Sequence, residues 1–250
     1  MKLLVACFLF GSTAPALLAQ DVVLKSGDSA SSLIELYSSE GCSSCPPAEA
    51  WLSDLKKSPD LWKTVFPVGF HVDYWDNLGW PDRFASAQFT RRQRDYASAL
   101  GQDSIYTPEF IVNGKEWRPN STLPANKAAS GQLALTVNLS ETKISADYSP
   151  GPEALEKSLR LHVALLGFNL VSDVKAGENR GRKLVHDFVV LGFGSSQLTA
   201  KSDGSFSAPI ALKTPTADSP SAIVAWVSTD NGAILQVTGG WLSSQKNRAN

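Results

Sequence analysis

The stretch Leu33-Ile34-Glu35-Leu36-Tyr37-Ser38-Ser39-Glu40-Gly41-Cys42-Ser43-Ser44-Cys45-Pro46-Pro47-Ala48 decides the reading of this chain. Leu33 to Tyr37 is strand-like, Ala48 to Lys57 is helix-like, and Cys42-Ser43-Ser44-Cys45 lies between them. Pro46 and Pro47 are tolerable only within a first helical turn. A helix N-terminus presents unpaired N–H groups and roughly half a positive charge, which stabilises an anion there. A Cys-X-X-Cys at this place is the arrangement that makes a reactive thiolate. The first sulfur, Cys42, ionises near or below neutral pH and attacks a disulfide; Cys45 resolves the mixed disulfide. Cys42 is expected to be the more exposed of the two, with Cys45 covered by the helix it enters.

The third cysteine, Cys7, sits in an N-terminal segment with the layout of a cleaved export signal. Lys2 supplies the charge, Leu3 to Phe10 the apolar stretch, and Ala14 to Ala19 the small residues, which places cleavage near Ala19 and residues 1–19 in the signal. The expected location is periplasmic or secreted. Without Lys2, 22 basic residues face 24 acidic ones, a net charge of −2. That balance leaves no footprint for nucleic acid or an anionic membrane. An exported chain with one remaining cysteine pair is not a disulfide-stapled scaffold.

Residues 21–130 alternate strand and helix signals. Val65 to Tyr74 reads as a buried strand, and Asp82 to Leu100 as an amphipathic helix ending at Gly101. Tyr106-Thr107-Pro108 leads into Glu109 to Val112, and Asn113-Gly114 marks a tight hairpin. Residues 131–250 change character. Leu133, Leu135 and Val137 alternate with small or polar residues, and Leu159 to Leu166, Leu184 to Leu191, Phe206 to Leu212 and Ala222 to Val227 read as strands. Short strands with little helical periodicity suggest an antiparallel β-sandwich. The junction falls around Asn120 to Gly131.

These residues resemble a secreted bacterial thioredoxin-like family catalogued as domain of unknown function 1223. The resemblance rests on the stretch quoted above, on His71-Val72-Asp73-Tyr74-Trp75-Asp76, Leu78-Gly79-Trp80, Tyr106-Thr107-Pro108 and Gly177-Glu178-Asn179-Arg180-Gly181-Arg182. It implies an α/β thioredoxin-like domain followed by an all-β antiparallel sandwich-like domain. It also implies a cis Pro108 against the Cys42–Cys45 disulfide, with the Thr107 backbone free to pair with an extended substrate. No substrate follows from it.

Glu35 interrupts the strand before the motif; burial would raise its pKa and make it a proton acceptor for Cys45. In the ungapped comparison with thioredoxin the usual buried acid falls at Leu36, one position on, and a one-residue shift moves a side chain to the opposite face. A structural hydrogen-bonding role for Glu35 stays open. His71 and Asp73 share one face of the second strand, and Tyr74, Trp75 and Trp80 follow at its end, where an open α/β sheet borders its binding crevice. Asp73 and Trp75 are therefore candidate substrate contacts, with packing of a long loop as the alternative. His162 and His186 read as surface or satisfied core histidines, and Arg180 and Arg182 as solvated turn charges. Asn120-Ser121-Thr122 and Asn138-Leu139-Ser140 match glycosylation acceptors.

The expected function is exported thiol–disulfide exchange on protein or small-molecule thiols or disulfides, with no organic cofactor and no bound metal. Two alternatives use the same pair: a Cu(I) metallochaperone with two soft thiolate ligands, or a binding module whose disulfide only crosslinks. The all-β half is expected to dock near Cys42 and narrow access to it, with the Gly177–Arg182 loop reaching beyond its own core.

Overall fold

The computed structural model describes residues 21–28, 31–119, 123–124, 131–138, 143–151, 158–210, 212 and 220–242. The segment read as an export signal lies outside them, as do most of the 120–131 junction, the whole of the first glycosylation-type match and part of the second. No described helix is long and apolar enough to cross a membrane.

The first half runs β1 (Val22–Lys25), β2 (Ser32–Ser38), α1 (Cys45–Asp54), β3 (Val65–His71), α2 (Ala87–Leu100), β4 (Glu109–Val112) and β5 (Lys115–Trp117). Every residue of β2 is buried, so its apolar run belongs to a strand covered on both faces. It pairs in parallel with β3 and antiparallel with β4. Asn113 and Gly114 both have positive φ, 51° and 79°, the backbone a two-residue hairpin turn requires between β4 and β5. Pro46 and Pro47 occupy the first turn of α1, and α2 is capped by the Ser86 hydroxyl, which accepts from Gln88 N–H.

The regular secondary structure of the second half is all strand among the described residues. It runs β6 (Gly131–Asn138), β7 (Lys143–Pro150), β8 (Leu159–Gly167), β9 (Leu170–Asp173), β10 (Lys183–His186), β11 (Val189–Gln197), β12 (Thr199–Ala200), β13 (Phe206–Ile210), β14 (Ala222–Thr229) and β15 (Ile234–Trp241).

The expectation of an α/β thioredoxin-like domain followed by an all-β domain is not met. The chain is mostly β, with two α-helices among the described residues, and its largest sheet takes strands from both halves in the order β15-β14-β8-β11-β3-β2-β4-β5. The seam is β3 against β11. They pair in parallel at Val189 and Gly69, and Gly69 N–H donates to Phe188 O at 2.8 Å. A Cβ at Gly69 would sit 3.4 Å from that carbonyl, so glycine lets the two backbones approach. A second sheet, β1-β6-β7-β13-β12, begins with a strand from the first half, and β9 and β10 form a separate hairpin.

The reason lies in β8 and β14, which are apolar on both faces. Leu161, Val163, Leu165, Ile223, Ala225 and Val227 pack under the five-stranded sheet, against Leu133, Leu135 and Tyr148. Their neighbours Ala164, Leu166, Val224 and Trp226 belong to the same core as Leu33, Phe66 and Phe70. Strands so placed need a layer on each side, and the helices and strands of the first half supply one of them.

Candidate functional site

Both cysteines are free thiols and both are fully buried, which corrects the expectation that Cys42 would be the exposed sulfur. Cys42 Sγ lies 3.3 Å from Ser44 Oγ and 3.8 Å from the Thr107 carbonyl oxygen. The Thr107–Pro108 peptide is cis. Thr107 Oγ1 accepts from Trp75 Nε1 at 2.8 Å, so the Trp75 ring is braced against the segment that faces the sulfur.

The two thiols are driven in opposite directions. The hydrogen bond from Cys45 to its sulfur outweighs burial and, with the Ser44 and Thr107 side chains and the Ser44 backbone, brings the Cys42 pKa down to about 6. Burial and the adjacent Cys42 sulfur push Cys45 far above an ordinary thiol, and the Ser38 side chain and Ser39 backbone only partly oppose them. At neutral pH Cys42 is mostly thiolate and Cys45 is thiol.

Beneath the pair lies a cluster of acids and histidines. Ser38 donates to Glu49 Oε1, and Glu49 Oε2 pairs with His186 Nδ1 at 2.6 Å. The other ring nitrogen, His186 Nε2, is 3.2 Å from Glu40 Oε1, and Trp80 Nε1 donates to Glu40 Oε2 at 2.6 Å. His71 Nδ1 meets Asp82 Oδ2 at 2.6 Å, and its ring centroid is 5.2 Å from that of His186. Burial works against charge on His186, but its hydrogen bonds to Glu40 and Glu49 win and raise its pKa to about 10. Burial opposes charge on His71 too, and Asp82 outweighs it, raising the pKa.

Glu49, His71 and His186 offer donor atoms within 4.8 Å of one another, the composition of a metal site. The 2.6 Å contact between Glu49 and His186 is a hydrogen-bond length. Two ligands around one zinc ion, each about 2.0–2.1 Å from it in tetrahedral geometry, stand farther apart than that. As placed, Glu49 and His186 are hydrogen-bonded to each other.

A folded-state pKa of about 10 for His186, above its ordinary 6.5, contributes stability that is complete below pH 6.5 and lost as pH rises toward 10. The lowered Cys42 pKa acts oppositely, contributing stability present above the ordinary thiol value and lost as pH falls through about 6. Reduced Cys42→Ser protein should therefore lose up to a few kcal/mol between pH 6.5 and 9.5, and more steeply than reduced wild type. Urea denaturation at several pH values checks this; a flat profile in Cys42→Ser would mean that His186 is not held as a charged partner.

The expected proton acceptor, Glu35, is elsewhere. It is fully buried, but it accepts from Arg92 Nε at 2.7 Å, Arg92 Nη2 at 3.0 Å, Tyr96 Oη at 2.6 Å and Tyr37 Oη at 3.1 Å. These partners come from α2 and β2, whereas Ser38, three residues on, faces Glu49 of α1. Side chains an odd number apart on a strand leave opposite faces of the sheet. Asp73 accepts from the Thr90 hydroxyl at 2.5 Å and its N–H donates to Thr90 Oγ1, so it ties the end of β3 to α2. His162 is a satisfied core histidine, bonded to Ser195 at 2.7 Å and Ser228 at 2.9 Å and stacked on Trp226. Glu40, Glu49 and His186 were not legible as site residues. For Glu49 a signal existed: it follows Cys45 by four positions on a helix, the spacing that puts two side chains on one face.

The Gly177–Arg182 loop reaches the cysteines. Asn179 Nδ2 donates to the carbonyls of Glu40 at 2.8 Å and Cys42 at 2.9 Å, and Ser43 N–H donates to Glu178 Oε2 at 2.9 Å. Arg182 donates to Asn179 Oδ1 at 2.8 Å. Asn179 is fully buried, so Asn179→Ala strands two carbonyls, each worth about 1–3 kcal/mol of lost solvation. The variant should be less stable and should alkylate at Cys42 several-fold faster with iodoacetamide, through easier local opening. An unchanged alkylation rate would remove the loop from the control of access.

A mixed-sheet protein with an unequal, buried dithiol at a helix start defines the class. The chain belongs to the family described as "Protein of unknown function (DUF1223)", whose pattern matches residues 33–228. No curated protein matches it. Two solved structures are similar in fold. Protein AGR_C_4864 from Agrobacterium tumefaciens is 20% identical with a TM-score of 0.58, over 90% of this chain and 99% of that one. HBP35 of Porphyromonas gingivalis is 14% identical with a TM-score of 0.59, over 88% and 77%.

Proposed function

We propose that this protein is an exported thiol–disulfide oxidoreductase acting on protein or small-molecule thiols or disulfides through Cys42 and Cys45, with no organic cofactor. The carrying observation is the inequality of the two thiols at the start of α1, with Cys42 near pKa 6 and Cys45 held protonated. A nucleophile that is thiolate at neutral pH, beside a partner that is not, is the condition for ordered attack and resolution. The Thr107 carbonyl and the cis Pro108 border Cys42, and an open groove of about 590 Å³ continues from Ser44 and Pro108 along Trp51, Tyr106 and Trp117. Its aromatic lining suits an apolar side chain next to a substrate cysteine.

The test is iodoacetamide alkylation of the reduced protein across pH. One fast-reacting thiol, mapped to Cys42 with a midpoint near 6, supports the reading. Equal reactivity of both cysteines with midpoints near 8.5, the ordinary thiol value, contradicts it. Tight one-to-one Cu(I) binding by the reduced protein without disulfide exchange would favour a metallochaperone instead.

A further inference from the structure

Cys45 faces a difficulty that Cys42 does not. It must lose its proton to attack a mixed disulfide, yet its thiol is fully buried and holds that proton strongly. A buried thiol in that position needs an acceptor within hydrogen-bond reach, directly or through one intervening group. Ser38 neighbours the Cys45 thiol closely enough to lower its pKa, Glu49 follows Cys45 by one turn on the same helix, and the Ser38 hydroxyl donates to Glu49 Oε1. Glu49 in turn is held by His186 Nδ1 at 2.6 Å, and His186 comes from β10, in the half of the chain that carries no cysteine among the described residues.

We propose that Ser38 and Glu49 form the path by which the Cys45 proton leaves, and that His186, supplied by the second half of the chain, keeps Glu49 ionised and ready to receive it. The proposal rests on the thiol-exchange reading above. Glu49 and His186 are positioning residues in it, since neither touches the reacting sulfurs.

Cys42 has attacked a substrate disulfide and carries half of it as a mixed disulfide. Cys45 S–H gives its proton to Ser38 Oγ while Ser38 gives its own to Glu49 Oε1. The Cys45 thiolate then attacks Cys42 Sγ, the Cys42–substrate S–S bond breaks, and the second substrate half leaves as a thiolate that solvent protonates. The cysteine pair is oxidised to a disulfide and the substrate disulfide is reduced to two thiols. Once Cys42 is in a mixed disulfide, the contribution of its sulfur to the high Cys45 pKa disappears, which eases the transfer.

The surrounding charges fit this task. Burial opposes ionised Glu49, but the His186 hydrogen bond and the His71 and His186 charges outweigh it and hold its pKa below the usual carboxylate value. Glu40 on the opposite ring nitrogen keeps the imidazolium paired after Glu49 is neutralised. Asp82 occupies His71 at 2.6 Å, and Asp187, beside His186 in the chain, is occupied by Lys56 at 2.6 Å. Neither carboxylate is left to displace Glu49 from His186.

The experiment is single-turnover reaction of the reduced full-length protein with dithiobis(nitrobenzoate), which reports two coloured releases. The first marks attack by Cys42, the second resolution by Cys45. Glu49→Gln and Ser38→Ala are each expected to lower the ratio of second to first rate constant about 10–100-fold near pH 7. Glu49→Asp should restore part of it, and the deficit should shrink at high pH, where hydroxide takes the proton. In His186→Gln the carboxylate loses its charged partner, so the midpoint of the second release should move to higher pH, a shift that a loss of packing alone does not produce. A wild-type ratio and pH profile in both Glu49→Gln and Ser38→Ala would overturn the relay while leaving thiol exchange standing. Absence of the first release from wild type would overturn the exchange reading and the relay with it.

Discussion

Cys45→Ser protein treated with oxidised glutathione is expected to accumulate a stable glutathione adduct on Cys42, and Cys42→Ser protein to form one on Cys45 roughly tenfold more slowly or worse. Neither variant should turn over, because the cycle needs both sulfurs. The difference in trapping follows from the thiols' environments. With a pKa of about 6, Cys42 is mostly thiolate at pH 7. Cys45, raised by burial, is almost wholly protonated there. The gain in thiolate fraction is about thirtyfold over an ordinary thiol of pKa about 8.5, partly offset because a low-pKa thiolate is the weaker nucleophile. Mass spectrometry of the intact variants distinguishes the adducts. Equal trapping by both variants would mean that the pair has no order of attack.

The largest effect on stability is expected at Glu35. Its carboxylate is fully buried and takes two bonds from Arg92 and one each from Tyr96 and Tyr37. The Arg92 guanidinium also lies 5.7 Å from the Phe70 ring centroid and 5.2 Å from that of Trp226, so it is enclosed by apolar rings from both halves of the chain. Removing one member of such a pair leaves a buried charge without compensation, a loss of about 3–5 kcal/mol. Glu35→Ala should lower the urea midpoint accordingly. Under conditions where it stays folded, the second release from dithiobis(nitrobenzoate), relative to the first, should match wild type, because Glu35 lies on the α2 side of the sheet. A stable Glu35→Ala protein with a slowed second release would return the proton-acceptor role to Glu35.

Much of the local structure was legible because it depends on neighbouring residues. The buried run at 33–37, the prolines in the first turn of α1, the helix ending at Gly101 and the Asn113-Gly114 hairpin each follow from short-range chemistry. The joining of the two halves did not follow from it. Pairing between Val189 and Gly69 links positions far apart in the chain, and a glycine in a strand signals close approach without naming the partner. A hint was present in β8 and β14, whose continuous apolar runs were a poor match for a sandwich strand with one wet face.

The site divided in the same way. Cys42, Cys45, Thr107 and Pro108 could be placed from the motif and its setting. Glu49 carried a helical-spacing signal relative to Cys45, but Glu35 is the more conspicuous acid in the sequence because it interrupts an apolar strand. Asn179 lay in a motif that marked its loop but not its target, and His186 had no signal, because what matters about both is that β10 and the Gly177–Arg182 loop fold back over α1's first turn.

The most direct test of the central claim is equilibration of the full-length protein in glutathione buffers of graded potential, followed by mass analysis of the trapped thiols. The account predicts a reversible loss of two hydrogen atoms, mapped to a Cys42–Cys45 disulfide, with a midpoint inside the roughly −120 to −270 mV range of exchange proteins. A protein whose two thiols never form that bond, or form it once and resist reduction throughout the range, would contradict it.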